Sequence, residues 1–241
     1  MLKLSHKVFN IIALGCLVLL SAVIVFRSFP DDMPVFSDVH SGKLVYVLDA
    51  GHGGEDGGAV AVDGTKESII NLELTCRLEN LLNFLGEQTI MTRREDVSIH
   101  SDTANTTRGR KASDLKNRAE LVNRTDGAIL VSIHQNSLPT VPSVHGAQVF
   151  YGTGEESKLL AFSVQTALNQ SVNQENEKTE KAIEPTIFLL NHVSCPSILI
   201  ECGFLSNSAE AAALQQPQHQ IKLCAAIAAG LLSSAESACG K

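Results

Sequence analysis

The chain has no tryptophan, only two tyrosines, and no Cys-x-x-Cys pair among its six cysteines. The missing pair removes a zinc ribbon, and so few cysteines in 241 residues remove a dense disulfide framework. Positive charge is also scarce. Lys and Arg number 19 against 26 Asp and Glu, the net charge is −7, and the basic clusters are limited to Arg93-Arg94 and Arg108 to Lys111. That is no electrostatic footprint for nucleic acid, and the class is excluded. No Gly-Lys-Ser/Thr follows a glycine-rich turn, so a P-loop is absent too.

What is present begins with a long apolar run. Val8 to Phe26 is broken only by Asn10, Gly15 and Ser21, and as a helix it reaches about 28 Å, enough to span a bilayer. The run is long for the core of a signal peptide and no Ala-x-Ala site follows, which favours an uncleaved anchor over a secreted form. Lys3 and Lys7 precede it and Asp31 and Asp32 follow, so the positive-inside bias places the body outside the cytoplasm. The expected organisation is a membrane segment over 1–26, a linker over 27–42 with two prolines, and a single domain over 43–241.

In that domain apolar runs alternate with helical periods. Leu44 to Leu48, Thr89 to Thr92, Ala128 to Ile133, Gln148 to Tyr151 and Ile198 to Ile200 read as strands. Ile70, Leu74, Leu78, Leu81 and Leu85 mark a helix with Thr65 as N-cap. Further helices cover Asp114 to Asn123, the Leu160 to Ser171 period and the Ile221 to Leu231 period. Val97 to Ser113 and Asn169 to Glu184, polar and without period, read as loops. The fold class expected is α/β, a mostly parallel twisted sheet with helices on both faces, behind one N-terminal transmembrane helix. In such sheets the site lies beyond the carboxyl ends of the strands.

Three of the apolar strands end on a lone polar group. Leu44 to Leu48 runs into Asp49-Ala50-Gly51-His52-Gly53-Gly54, Ala128 to Ile133 into His134, and Ile198 to Ile200 into Glu201. A catalytic zinc site takes three protein ligands of the His/His/carboxylate kind and leaves a position open. His52 and His134 supply two, and Glu67, in the first turn of the helix leaving the His52 loop, is placed to be the third. Glu55 and Asp56 are nearer in sequence but read as solvated or rim residues. Glu201 would be costly to bury without a partner, and a raised pKa beside a metal suits a general base. Each residue also has a plainer reading. A strand-end histidine is more often a hydrogen-bonded structural group, and Glu201 could be the ion-pair partner of Arg93 or Arg118.

The stretches Val47 to Gly54, Glu67 to Leu72, Thr92-Arg93, Leu115 to Asn123, Ser132 to Asn136 and Ile200 to Asn207 together resemble the zinc-dependent N-acetylmuramoyl-L-alanine amidases of the Amidase 3 type. The short N-terminal anchor without wall-binding repeats is most similar to the germination-specific, spore-cortex subgroup. The resemblance implies one Zn2+ per chain held by His52, Glu67 and His134, with Glu201 as catalytic carboxylate. It also implies hydrolysis of the bond between the muramic acid lactyl group and L-alanine of peptidoglycan. The partners implied are the glycan strand with its stem peptide and the membrane, with room for an activating protein. Ala50 departs from the usual proline, which is expected to loosen the turn before His52 slightly and leave the ligand in place. Gln135 and Ser137 depart from the commoner alanines, which is expected to touch substrate contacts at most. Asn136 and Arg93 are candidate substrate-positioning groups, and His192 is a candidate for the groove rim. Two rivals remain: a tethered peptidoglycan-binding protein whose metal site is inactive or needs a partner, and an aminopeptidase-like hydrolase, which commonly uses two metals.

Overall fold

The computed structural model describes residues 44–239, so the Val8 to Phe26 run and the whole linker over 27–42 lie outside the described residues. None of the described helices is long and apolar enough to cross a membrane. The strands are β1 (Val45–Ala50), β2 (Gln88–Met91), β3 (Ala128–Asn136), β4 (Gln148–Tyr151), β5 (Lys181–Ala182) and β6 (Ser197–Phe204). The helices are α1 (Glu67–Phe84), α2 (Thr107–Asn123), α3 (Glu155–Ser171), α4 (Phe188–Asn191), α5 (Ser208–Leu214) and α6 (Pro217–Cys239).

The sheet runs β2-β1-β3-β6-β4-β5. β2, β1, β3 and β6 are mutually parallel, as the continuous apolar runs lead one to expect, whereas β4 pairs antiparallel with β6 and carries β5 parallel to itself. The sheet is therefore mixed. Parallel return needs a crossover of a dozen or more residues, usually a helix. No helix lies between β3 and β4, and the chain comes back in the opposite sense.

Both faces are covered, and strand alternation decides which residue goes where. Tyr46, Leu48, Val131, Ile133, Ile198 and Ile200 pack with Ile70, Leu74 and Leu78 of α1, Leu160 and Val164 of α3, and Leu223 and Ile227 of α6. Val47, Leu130 and Leu199 face the other way, against Ala119 and Val122 of α2 and Leu189 and Leu190 of α4. Each fully buried leucine or isoleucine contributes about 1.5–3 kcal/mol. By the same alternation Asp49, Ser132, His134 and Glu201 stand on the α2/α4 face.

Several boundaries differ from the sequence expectation. α2 starts at Thr107, inside the stretch read as a loop, because the Thr106 side chain accepts from Gly109 N at 3.0 Å and caps it. Its first turns, rich in Arg and Lys, lack an apolar stripe. Thr65 is not the cap of α1. Its hydroxyl donates to Gln215, and loop carbonyls Ala59 O and Gly57 O receive the first amides of α1. β5 lies inside the second expected loop, and the short helices α4 and α5 have no visible period.

Candidate metal centre

His52 follows β1 in a loop of unusual backbone. It is the only non-glycine among the described residues with positive φ, at 62°, and Gly53 and Gly54 continue at 136° and 63°. Histidine tolerates this left-handed region better than bulky side chains do, and glycine enters it freely. Gly51 is needed for another reason: a Cβ there would fall 2.2 Å from Nε2 of His134, whose ring lies against it.

Glu67 enters from the first turn of α1 and is 3% exposed. Its Oε2 accepts from Ala59 N at 2.8 Å, and its Oε1 from Gln135 N at 3.1 Å and Asn71 Nδ2 at 3.2 Å. Asn71 also donates to Gly51 O, and Gln135 Nε2 donates to Asn71 Oδ1. The bond to Glu67 comes from the Gln135 backbone amide, as it would from an alanine, and the Gln135 side chain reaches Glu67 only through Asn71.

The three donors converge. Glu67 Oε1 lies 3.0 Å from His134 Nδ1 and 3.3 Å from His52 Nε2, and all three ligand atoms fit within 4.8 Å of one another. Tetrahedral ligands at about 2.1 Å from zinc are about 3.4 Å apart, so the donor set fits that ion. Behind His52, Asp56 Oδ2 lies 3.1 Å from Nδ1 and also pairs with Lys111 at 2.9 Å. A carboxylate on the far imidazole nitrogen fixes the ring of a metal-ligating histidine. The sequence reading, which left Asp56 at the rim, had missed this role.

Glu201 sits directly opposite His134 in the β3–β6 register. Both lie within their strands and not past the tips, so the site rests on the α2/α4 face over the carboxyl-terminal halves. Glu201 Oε2 is buried without a hydrogen-bond partner. Burial, which the nearby Glu67 charge reinforces against the two histidines, lifts its pKa from 4.5 to about 7. Burial works to raise Glu67 as well, yet the hydrogen bonds and charges of His134 and His52 hold it far below the usual range. His52 is shifted upward: burial opposes its charge, but Glu67 and Asp56 outweigh burial.

The remaining candidates separate. Asn136 lines the groove, its Oδ1 turned to Ser137 N. Arg93 is not a groove residue: it is 4% exposed and donates to backbone carbonyls beneath the His52 loop. Arg118 pairs with Asp49 and Asp114 and leaves Glu201 without an arginine. Glu55 pairs with Arg110 at the surface. His192 stacks on Phe188 with centroids 3.8 Å apart, and the groove wall is made by its neighbours Thr186 to Leu190. The groove encloses about 440 Å³, with Leu115, Ile187, Phe188 and Leu199 as apolar wall around the polar cluster.

Two imidazoles and a carboxylate, open toward a groove and faced by a buried acid, form the kind of centre used by metal-dependent hydrolases. Within that class the chain belongs to the Amidase_3 family, N-acetylmuramoyl-L-alanine amidase, whose model matches residues 47–233. It is 36% identical over 194 residues to the germination-specific N-acetylmuramoyl-L-alanine amidase of Bacillus subtilis (strain 168), covering 80% of this chain and 79% of that protein. Among solved structures it resembles the CwlD amidase of Clostridioides difficile in complex with the GerS lipoprotein, with TM-score 0.77 and 37% identity, covering 81% of this chain and all of that one. An N-acetylmuramoyl-L-alanine amidase of Clostridium difficile 630 matches with TM-score 0.70 and 28% identity, covering 82% of this chain and 99% of the other.

Proposed function

We propose that this protein hydrolyses the amide between the muramic acid lactyl group and L-alanine of peptidoglycan, in spore-cortex processing, with one zinc held by His52, Glu67 and His134. The observation that carries the reading is the three-donor cluster with Glu201 opposite His134 across the strand pair. When bound, zinc supplies Lewis acidity toward the amide carbonyl and the attacking water. Glu201 takes the proton of that water and delivers it to the departing alanine amine, a role open to a carboxyl whose Oε2 has no other partner. The apolar wall of Ile187, Phe188 and Leu199 seats the substrate and thins the water around the scissile bond.

The kinship with a germination-specific relative supports the cortex as substrate, and the lipoprotein complex of the CwlD neighbour supports a protein partner for this chain. Val8 to Phe26 is proposed to anchor the domain outside the cytoplasmic membrane.

The test is digestion of purified peptidoglycan followed by mass analysis of the products. New L-alanine amino termini are expected, lost on chelation and restored by zinc. Cleavage at a glycosidic bond or within the stem peptide would overturn the reading.

A further inference from the structure

The backbone that carries His52 is gripped by two arginines. Arg93 Nε donates to Ala50 O at 2.8 Å, and its Nη2 donates to Gly51 O at 3.0 Å and to Ser68 O at 2.8 Å. Arg118 Nη1 donates to the same Ala50 oxygen at 2.8 Å, and its Nη2 to His52 O at 2.7 Å. Three successive carbonyls are thus bound by two guanidinium groups. Ser68 follows Glu67, so Arg93 also joins the His52 loop to the turn that carries the second ligand.

This is costly chemistry to bury. The Arg93 side chain has no exposure, and its nearest carboxylate, Asp96, is 4.0 Å away. Burial and then the like charge of Arg118 pull its pKa down. A site that needed only filling is better served by an apolar side chain of similar volume. What the guanidinium adds is a rigid fork of donors for the carbonyls where the chain turns left-handed at His52, of which Gly51 O also accepts from Asn71. That conformation carries strain for a residue with a side chain and persists only where its surroundings hold it.

We infer that Arg93 and Arg118 are positioning residues of the metal centre, clamping Ala50, Gly51 and His52 so that His52 and Glu67 face each other before a cation arrives. The inference rests on the reading of His52, Glu67 and His134 as ligands.

The experiment uses the full chain in detergent, stripped of metal. Zinc affinity is measured by competition with a chromophoric chelator, and hydrogen exchange is followed at the Gly51 to Gly54 amides with and without zinc. In wild type these amides are expected to be protected already and to change little when zinc is added. Arg93→Lys keeps the charge but loses the fork. It is expected to unfold cooperatively yet to bind zinc about 10–100-fold more weakly, the usual cost of losing a group that orients a ligand, with faster exchange in the loop. Arg94→Gln, which loses only a pair with Glu79, should bind zinc like wild type. A lowered unfolding midpoint in Arg93→Lys with unchanged zinc affinity would make Arg93 merely structural and overturn the inference. If that variant does not fold, wild-type exchange decides: a loop that becomes protected only on adding zinc overturns it, and one protected beforehand supports it. Wild type that binds no zinc sinks the metal-centre reading itself, and the clamp with it.

Discussion

Glu201→Gln separates binding from chemistry. The amide keeps the shape of the carboxylate and takes nothing from the three donors, so zinc content and fold should match wild type. Turnover should fall by about two to four orders of magnitude, the range for losing a positioned acid/base group. Zinc quantification beside release of L-alanine amino termini checks this, and a Glu201→Gln protein without zinc would make Glu201 a ligand. Gly51→Ala should fail in the opposite way: its Cβ would occupy the place of the His134 ring, so metal content should drop along with activity. Normal zinc in that variant would mean that the ring can move aside. At this scale the sequence was informative where a polar residue interrupts an apolar run, and the structure gathers His52, Glu67 and His134 within reach of one ion. Asp56 and Arg93 were not legible, because their roles depend on the φ signs of the His52 to Gly54 turn and on which way a buried guanidinium points. Neither leaves a mark in composition or spacing.

At the scale of elements, α2 carries Asp114 and Arg118 to the underside of the site, and its first turns depend on a cap that the periodicity did not reveal. Thr106→Ala removes the acceptor for Gly109 N and should cost about 1 kcal/mol, or about 2–4 °C in Tm for a domain of this size. Calorimetry checks it, and an unchanged Tm would show that water replaces the cap. β1 is tied to α2 by Asp49, which accepts from Arg118 and Ser132. Burial works to raise the Asp49 pKa, but Arg118 and Ser132 hold it at about 2, below the ordinary 3.8. Because the folded value is the lower one, the ionised form favours the fold. The contribution, about 2 kcal/mol, is complete above pH 4 and is lost as pH falls toward 2. Urea unfolding across that window should show a shallower acid slope for Asp49→Asn than for wild type, on top of the loss at neutral pH from leaving Arg118 with one carboxylate fewer. Equal slopes would free Asp49 from this role. Buried parallel strands were readable as continuous apolar runs. The reversal of β4 was not, since a strand of four residues reads the same in either direction.

For the whole molecule, the expected separation is between a catalytic body and a tether. A cytoplasm-dependent reporter fused after Lys241 should be silent if Val8 to Phe26 holds the domain outside, and a working reporter would reverse the topology and deny the enzyme its wall substrate. On the function proposed above, the body owes its chemistry to the register of the sheet. His134 and Glu201 are neighbours across one ladder, so their separation follows from the spacing of about 4.8 Å between hydrogen-bonded strands and not from any connection that evolution can lengthen. The groove wall at Thr186 to Leu190, by contrast, hangs on a short helix outside the sheet. Reactivity and selectivity are thereby written in separable parts of the chain. A designer could graft a different wall segment to change which polymer is admitted while the proposed metal ligand and the facing acid keep their spacing, much as a lathe keeps its spindle when the chuck is exchanged.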